Sequence, residues 1–200
     1  MDYHRPASTH QTEIEVRKSR FICDIQPVND RDSATAFIES VRAREPKANH
    51  HCWSYIAGSP DDAHQWNYSD DGEPKGTAGQ PMLNVLQHSH MGNICAVVTR
   101  YFGGIKLGTG GIARAYSQAV NEALQTLPTE IVTPTQEIVM IASYELTGEL
   151  EQLISQFKLI DCERCFGTDI QITAQLPINR LNDLKQALTP FQHLISLNIS

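Results

Sequence analysis

The chain has 200 residues and a net charge of −7, with 40% hydrophobic and 20% charged residues. That composition is typical of a globular protein with one large domain or two small ones. No apolar run approaches the ~20 residues needed to cross a bilayer, which argues against a membrane-spanning helix. The first residues lack the apolar core of a signal peptide. We therefore expect a cytoplasmic protein with no membrane partner.

The first part of the chain, residues 1–130, predicts an α+β domain. Alternating apolar residues between Ile14 and Ile25 predict a strand pair or one long bent strand. The next predicted elements are a helix from Asp32 or Ser33 to about Arg44, strands over 51–57 and 94–100, and a helix over 112–127.

Residues 128–134 follow a helix and have a proline at each end, which predicts a domain boundary. Beyond it, residues 135–200 give the order strand, helix, strand, strand, helix, strand. The predicted elements cover residues 137–144, 147–157, 159–166, 169–176, 177–188 and 193–199, with Thr147 as the N-cap of the first helix. This order is that of the ferredoxin-like split βαβ fold.

A glycine-rich segment follows the strand that ends near Arg100. It contains five glycines in nine residues, namely Gly103, Gly104, Gly108, Gly110 and Gly111, and no acidic residue. Its basic residues are Arg100, Lys106 and Arg114. A helix N-terminus offers free N–H groups and a partial positive charge, so such a turn suits an anion. Close packing of the helix on the sheet is the alternative reason for the last three glycines.

An acidic segment, residues 69–81, contains Asp70, Asp71 and Glu73. Carboxylates are the usual ligands of a hard cation, so these three residues form a candidate Mg²⁺ site. The alternative is an acidic turn that caps the following helix, which would begin at Thr77 or Gly79.

His50 and Cys52 share one face of a predicted strand. They could form a nucleophilic pair, although a hydrogen-bonded structural histidine is the favoured interpretation.

Three segments together resemble the YigZ/IMPACT family: residues 48–55 (ANHHCWSY), 70–81 (DDGEPKGTAGQP) and 99–117 (TRYFGGIKLGTGGIARAYS). The likeness covers about residues 10–127, and the predicted ferredoxin-like domain after it is similar to the bacterial YigZ type. The resemblance implies a first domain with a left-handed βαβ unit, as in a small-subunit ribosomal protein and the fourth domain of elongation factor G. It implies a second domain similar to the last domain of that factor.

The resemblance also implies a function. Eukaryotic relatives regulate translation by binding a ribosome-associated activator of an initiation-factor kinase, and nucleic-acid or ribosome binding is the usual suggestion for bacterial members. We therefore expect a non-enzymatic protein that binds RNA, the ribosome or a ribosome-associated protein. In this hypothesis Arg100, Lys106 and Arg114 contact phosphate, Tyr101 or Phe102 stacks on a base, and the glycines allow close approach.

Two alternatives belong to other classes. The first is a metal-dependent hydrolase or phosphate-binding enzyme in which Asp70, Asp71 and Glu73 hold a metal opposite Lys106. The second is a protein-interaction module that touches no nucleic acid. The enzyme requires the acidic and basic segments to meet in one cleft, so the hypotheses differ in whether these side chains converge.

Overall fold

The computed structural model describes residues 2–199, which form two compact units. The first unit is Tyr3–Val132, and the second begins at Thr133. Across the described residues, no helix is both long enough and apolar enough to span a bilayer. Short 3₁₀ turns occur at Ala63–Gln65, Tyr144–Leu146, Ile178–Arg180 and Thr189–Phe191.

The first unit contains seven strands and three helices within Tyr3–Val132. In chain order they are β1 (Tyr3–Pro6), β2 (His10–Val16), β3 (Ser19–Pro27), α1 (Arg31–Arg44), β4 (His50–Ile56), β5 (Trp66–Ser69), α2 (Gly79–His88), β6 (Ile94–Tyr101), α3 (Thr109–Thr126) and β7 (Thr129–Val132). Five strands form an antiparallel sheet in the order β2-β3-β6-β4-β5, and β1 pairs with β7. Strands β3 and β4 are therefore parallel, with β6 between them and α1 joining them.

Strand β6 is the centre of the sheet because it can be buried on both faces. Its residues from Ile94 to Arg100 are all buried, which is why this segment is an unbroken apolar run and not an alternating one. One face of the sheet packs on α1 through a cluster that includes Phe37 and Val41. The other face packs on α2 and α3 through a cluster that includes Met82 and Tyr116.

The second unit contains β8 (Thr135–Ala142), α4 (Thr147–Phe157), β9 (Ile160–Phe166), β10 (Ile170–Pro177), α5 (Leu181–Leu188) and β11 (Ile195–Ile199). Its antiparallel sheet has the order β11-β8-β10-β9, as in a ferredoxin-like fold. Both helices bury their apolar sides in one core, where Leu150, Phe157 and Leu184 pack on the sheet. The predicted α+β fold class is confirmed.

Several predicted element limits were wrong. The N-cap of α1 is Asp30, whose carboxylate accepts a hydrogen bond from the Ser33 N–H. Thr147 is the first residue of α4 and not its N-cap, because a 3₁₀ turn precedes it. The two units divide after Val132, within the segment 128–134 predicted as a domain boundary, and the first part of that segment carries β7, which pairs with β1.

The most consequential difference is at α3, which begins at Thr109 and not at Ile112. Gly110 and Gly111 therefore lie in the first turn of this helix and not in the loop before it. Glycine has a poor helix propensity, so the sequence pattern placed the start of the helix after them.

Gly103 fixes the glycine-rich segment to the turn between β2 and β3. A Cβ atom at this position would overlap the backbone carbonyl group of Lys18. In addition, the N–H of Gly103 donates to the Ser19 hydroxyl at 3.1 Å. This is a close approach of two backbone segments, which only glycine permits.

We predict that Gly103→Ala lowers the free energy of unfolding by roughly 1–3 kcal/mol, because the added methyl group must push the Lys18 backbone away. Gly110→Ala is the matched control, since a Cβ there meets nothing within 4 Å and alanine is the better helix residue. That variant should gain up to about 1 kcal/mol. Urea unfolding of both proteins measures the difference, and equal stabilities would contradict the proposed contact.

Candidate functional site

A cavity of about 470 Å³ opens in the first unit where the acidic and glycine-rich segments meet. Its walls come from the start of β4, the loop before α2, the end of β6 and the start of α3. The lining residues are Asn49, His50, Glu73, Pro74, Arg100, Phe102, Lys106, Leu107, Gly108, Thr109 and Ile112. The cleft that the enzyme hypothesis required thus exists for Glu73, Arg100 and Lys106. Asp70, Asp71 and Arg114 are not among its lining residues.

A buried ion pair lies at one wall of the cavity. Nη1 of Arg100 donates to Oε1 of Glu73 at 2.5 Å, and the Tyr116 hydroxyl donates to the same oxygen at 3.0 Å. Nε2 of His50 is 4.0 Å from that oxygen. The side chains of Arg100 and Glu73 are only 6% and 3% exposed. Separating them would leave a charge in a poorly solvated place, so the pair is a strong structural constraint.

Strand geometry explains why Arg100 is inside. Alternate residues of a strand face opposite sides, which places Arg100 on the face that α2 and α3 cover. Its guanidinium lies 5.4 Å from the ring centroid of Phe21 and 5.9 Å from that of Phe102. Among residues 2–199, Nε of Arg100 is buried and has no hydrogen-bond partner.

Arg100 was predicted to contact phosphate together with Lys106 and Arg114, as a basic residue of a segment without carboxylates, but it is buried and paired. Glu73 neutralises it, and its partner came from the acidic segment that the sequence analysis treated as a separate site. Arg100 still lines the cavity. Its first effect is to hold the loop that carries Glu73 against the end of β6.

Tyr101, which follows Arg100 in β6 and was one of two residues proposed to stack on a base, does not line the cavity. As the next residue of the strand it faces the other side of the sheet, where its hydroxyl donates to Glu45 at 2.6 Å. That hydrogen bond raises the pKa of Tyr101. The guanidinium of Arg20 covers its ring at 5.5 Å from the centroid. Of the two aromatic residues proposed to stack on a base, only Phe102 lines the cavity.

The start of α3 presents free backbone donors at the cavity. Gly108 is the N-cap with a φ of 71°, and within the described chain no side chain hydrogen-bonds to this end of the helix. By contrast, a carboxylate accepts hydrogen bonds from the first amides of α1 and of α2. The first N–H groups of a helix have no intrahelical partner, so those of α3 remain available as donors at the cavity.

Close packing of helix on sheet does not explain Gly108 or Gly110, so the packing alternative was wrong for these two, and Gly108 instead has a positive φ of 71°. A Cβ at Gly104, Gly108 or Gly110 would meet no atom within 4 Å, and one at Gly111 would meet only Leu107 at 3.2 Å. Two glycines in a first helical turn cost stability without filling a gap. Their effect is to keep side chains away from the amides of the turn, which suits close approach of a ligand.

The acidic segment is not a metal cluster. Oδ1 and Oδ2 of Asp70 accept hydrogen bonds from the backbone N–H groups of Gly76, Ala78 and Gly79, so this residue caps α2. Asp71 pairs with Arg42 at 2.8 Å and accepts from the N–H of His51 at 2.7 Å.

With Glu73 bonded to Arg100, each carboxylate is engaged by protein donors. The described residues contain no group of three metal-ligating side chains. The geometry therefore does not support the Mg²⁺ site or the hydrolase built on it. The acidic turn predicted as a helix cap is what the structure shows.

The nucleophilic pair is not supported either. Cys52 is fully buried and its thiol donates to the Asp70 carbonyl at 2.9 Å. Burial raises the pKa of the Cys52 thiol, which stays protonated. Nδ1 of His50 lies 2.8 Å from the Asp71 carbonyl oxygen, which can only accept, so Nδ1 carries the proton.

A second, smaller cavity of about 250 Å³ lies beside the first, and Leu107 borders both. Arg17, Gly111 and Arg114 line it. Arg114 thus lies outside the main cavity, and its Nε donates to the Gly110 carbonyl at 3.2 Å. Lys106 lies at the main cavity as expected.

Arg17 and Lys18 were not predicted as site residues; they form the turn between β2 and β3 and have φ values of 48° and 65°. The signal was present as two basic residues between two alternating runs, and the strand pair that the structure has there was one of the two predicted alternatives. Together Arg17, Lys18, Lys106 and Arg114 are called the basic surface below. None of the four makes an ion pair within residues 2–199.

The family model described as the Impact N-terminal domain matches residues 17–124, which include the whole cavity and the basic surface. The chain belongs to the IMPACT family. The resemblance in the three motif segments is thereby confirmed.

Relatives in this family match nearly end to end. IMPACT family member YigZ of Escherichia coli (strain K12) is 43% identical over 93% of this chain and 91% of its own length. IMPACT family member YvyE of Bacillus subtilis (strain 168) is 35% identical over 88% of this chain and 81% of its own. A crystal structure described as that of a hypothetical protein has a TM-score of 0.73 and 39% identity, covering 99% of this chain and 96% of that one.

We predict that Glu73→Ala lowers the free energy of unfolding by about 3–5 kcal/mol, because it leaves the buried Arg100 guanidinium without its counter-charge. Glu130→Ala is the control: it removes a half-exposed pair with Arg5 and should change stability by no more than about 1 kcal/mol. Both are measured by urea unfolding at neutral pH. Equal effects of the two substitutions would show that the buried pair is not a structural constraint.

Proposed function

We propose that the protein binds single-stranded RNA through its first unit and acts in translation. The observation that carries this proposal is the uncapped start of α3, which faces a cavity and has the basic surface beside it. A phosphate group satisfies both the free amides and the positive charge.

Local charge favours a polyanion although the net charge is −7. Carboxylates neutralise Arg20, Arg42, Arg44 and Arg100 of the first unit. By contrast, the four cations of the basic surface are free of carboxylate partners in the described chain. Association with nucleic acid is driven by such local patches, through release of counterions from the phosphates.

The shape favours a single strand over a duplex. The two cavities share Leu107, so Lys106, Arg17, Arg114 and the start of α3 border adjoining cavities that also have apolar residues in their walls. Proteins that bind single strands combine a basic track with aromatic side chains on which bases stack, and Phe102 supplies such a ring, 48% exposed.

The role in translation rests on the resemblance of both units to ribosome-associated proteins and on family membership, not on a contact in this structure. In this proposal the RNA is ribosomal or ribosome-bound, or the partner is a ribosome-associated protein, and the site of action is the cytoplasm. No catalytic step is assigned, since the carboxylates that a hydrolase would need are engaged by the protein itself.

We predict that Arg17→Gln combined with Arg114→Gln weakens binding of a fluorescein-labelled single-stranded oligoribonucleotide, measured by anisotropy between 50 and 200 mM salt. Each lost phosphate contact should also reduce the slope of log affinity against log salt by about 0.7. Glutamine keeps the aliphatic stem as far as Cδ and a polar end, so the change is mainly one of charge.

The control is Arg31→Gln, which removes an exposed cation from α1, on the opposite face of the sheet. It should leave affinity and slope within error of the parent protein. If the double variant also retains the parent affinity and slope, the proposed RNA surface is wrong.

A further inference from the structure

We propose that the main cavity holds one nucleotide unit, a nucleoside monophosphate, with its phosphate at the start of α3 and its base against Phe102. The inference rests on the proposed function to the extent that bound RNA supplies this nucleotide.

The cavity has the size and walls of a small-molecule site. Its volume of about 470 Å³ lies within the roughly 300–1,000 Å³ typical of ligand pockets. Pro74, Phe102, Leu107 and Ile112 supply apolar wall, and polar side chains such as Asn49, His50 and Lys106 lie between them. An inorganic anion would leave these walls in water, whereas the ring of a base would cover them.

The phosphate end is defined by α3 and Lys106. Thr109 and Lys106 both line the cavity, and no side chain of the described residues occupies the helix N-terminus. The space next to Gly110 is open to 4 Å from a built Cβ. A phosphate there would accept from the first amides of α3 while Lys106 supplies the opposite charge.

The base end offers both kinds of hydrogen-bonding group. Oδ1 of Asn49 accepts from the Phe102 N–H at 2.9 Å, which turns its amide NH₂ group into the available donor. Nδ1 of His50 donates to the Asp71 carbonyl, which leaves Nε2 as an acceptor in the neutral ring. The Watson–Crick edge of every base carries donors and acceptors, so it can bond to such a pair.

Arg100 gives an independent sign that the cavity is built for a ligand. The side chain is more than nine-tenths buried and lines the cavity, yet the described chain supplies no partner for its Nε. An unpaired buried donor costs free energy in the empty protein. A base or ribose in the cavity adds polar atoms beside this guanidinium, which Glu73 and the two phenyl rings hold in place.

A base can enter the cavity only if it is unpaired and unstacked. The site therefore selects single-stranded RNA or a terminal nucleotide over a duplex. The same chemistry also fits a free nucleoside monophosphate, so the test includes both sources.

The test uses the full chain, with AMP, CMP, GMP, UMP and inorganic phosphate as probes in calorimetric titrations. At least one nucleotide should bind more tightly than inorganic phosphate. Phe102→Leu keeps an apolar side chain but removes the aromatic ring. It should lower the affinity for that nucleotide at least about fivefold and leave the affinity for phosphate unchanged.

Gly110→Asp adds a carboxylate at the second residue of α3. It should weaken the binding of every probe by electrostatic repulsion and should not destabilise the helix. Gly148→Asp is its matched control. Gly148 is the second residue of α4, also follows a threonine, and has open space around a built Cβ. This control adds the same charge at the same helix position in the second unit, and it should bind like the parent.

The source of the nucleotide is decided by competition. If RNA supplies the nucleotide, the nucleotide that binds should displace the labelled oligoribonucleotide. One abasic position in that strand should then lower its affinity for the parent protein but not its affinity for Phe102→Leu. Nucleotide binding without displacement of RNA assigns the cavity to a free nucleotide.

If no nucleotide binds better than phosphate, or Phe102→Leu binds as the parent does, the inference is overturned. The proposed function still stands in that case if the Arg17 and Arg114 substitutions lower the affinity of the protein for the oligoribonucleotide.

Discussion

The ion pair between Arg100 and Glu73 is the interaction on which the site depends. It connects the end of β6 to the loop before α2, and the Tyr116 hydroxyl brings α3 to the same carboxylate oxygen. Asp70, three residues earlier, caps α2 from the same loop. One short segment therefore fixes two helices and the central strand, and the cavity is the space left between them.

The pair also decides where positive charge is free. Because Glu73 neutralises Arg100 inside the protein, the charges left to act on a ligand are those of Lys106, the start of α3 and the other cations of the basic surface. This division explains how a chain with a net charge of −7 can present an anion site. It also separates residues that build the site, such as Arg100, from residues that contact a ligand.

Periodicity predicted the fold well because burial follows it closely: the unbroken apolar run of β6 is central, and the alternating residues of β10 face one core. Long-range pairing could not be predicted in the same way. Arg100 looks exposed by residue type, and its partner is 27 positions away in the chain. The start of α3 was predicted too late in the chain because Gly110 and Gly111 have a poor helix propensity. The turn at Arg17 depends on left-handed backbone that no alternation pattern reveals.

The most direct test of the central claim is a titration of the ¹⁵N-labelled protein with a short single-stranded oligoribonucleotide, followed through its amide resonances. If phosphate binds at the start of α3, the amides of residues 109–111 shift most, together with those of residues 103–106 and of Arg17 and Lys18. The amides of the second unit should stay in place. Shifts confined to residues 135–199, or no change at residues 109–111 under saturation, would contradict the account.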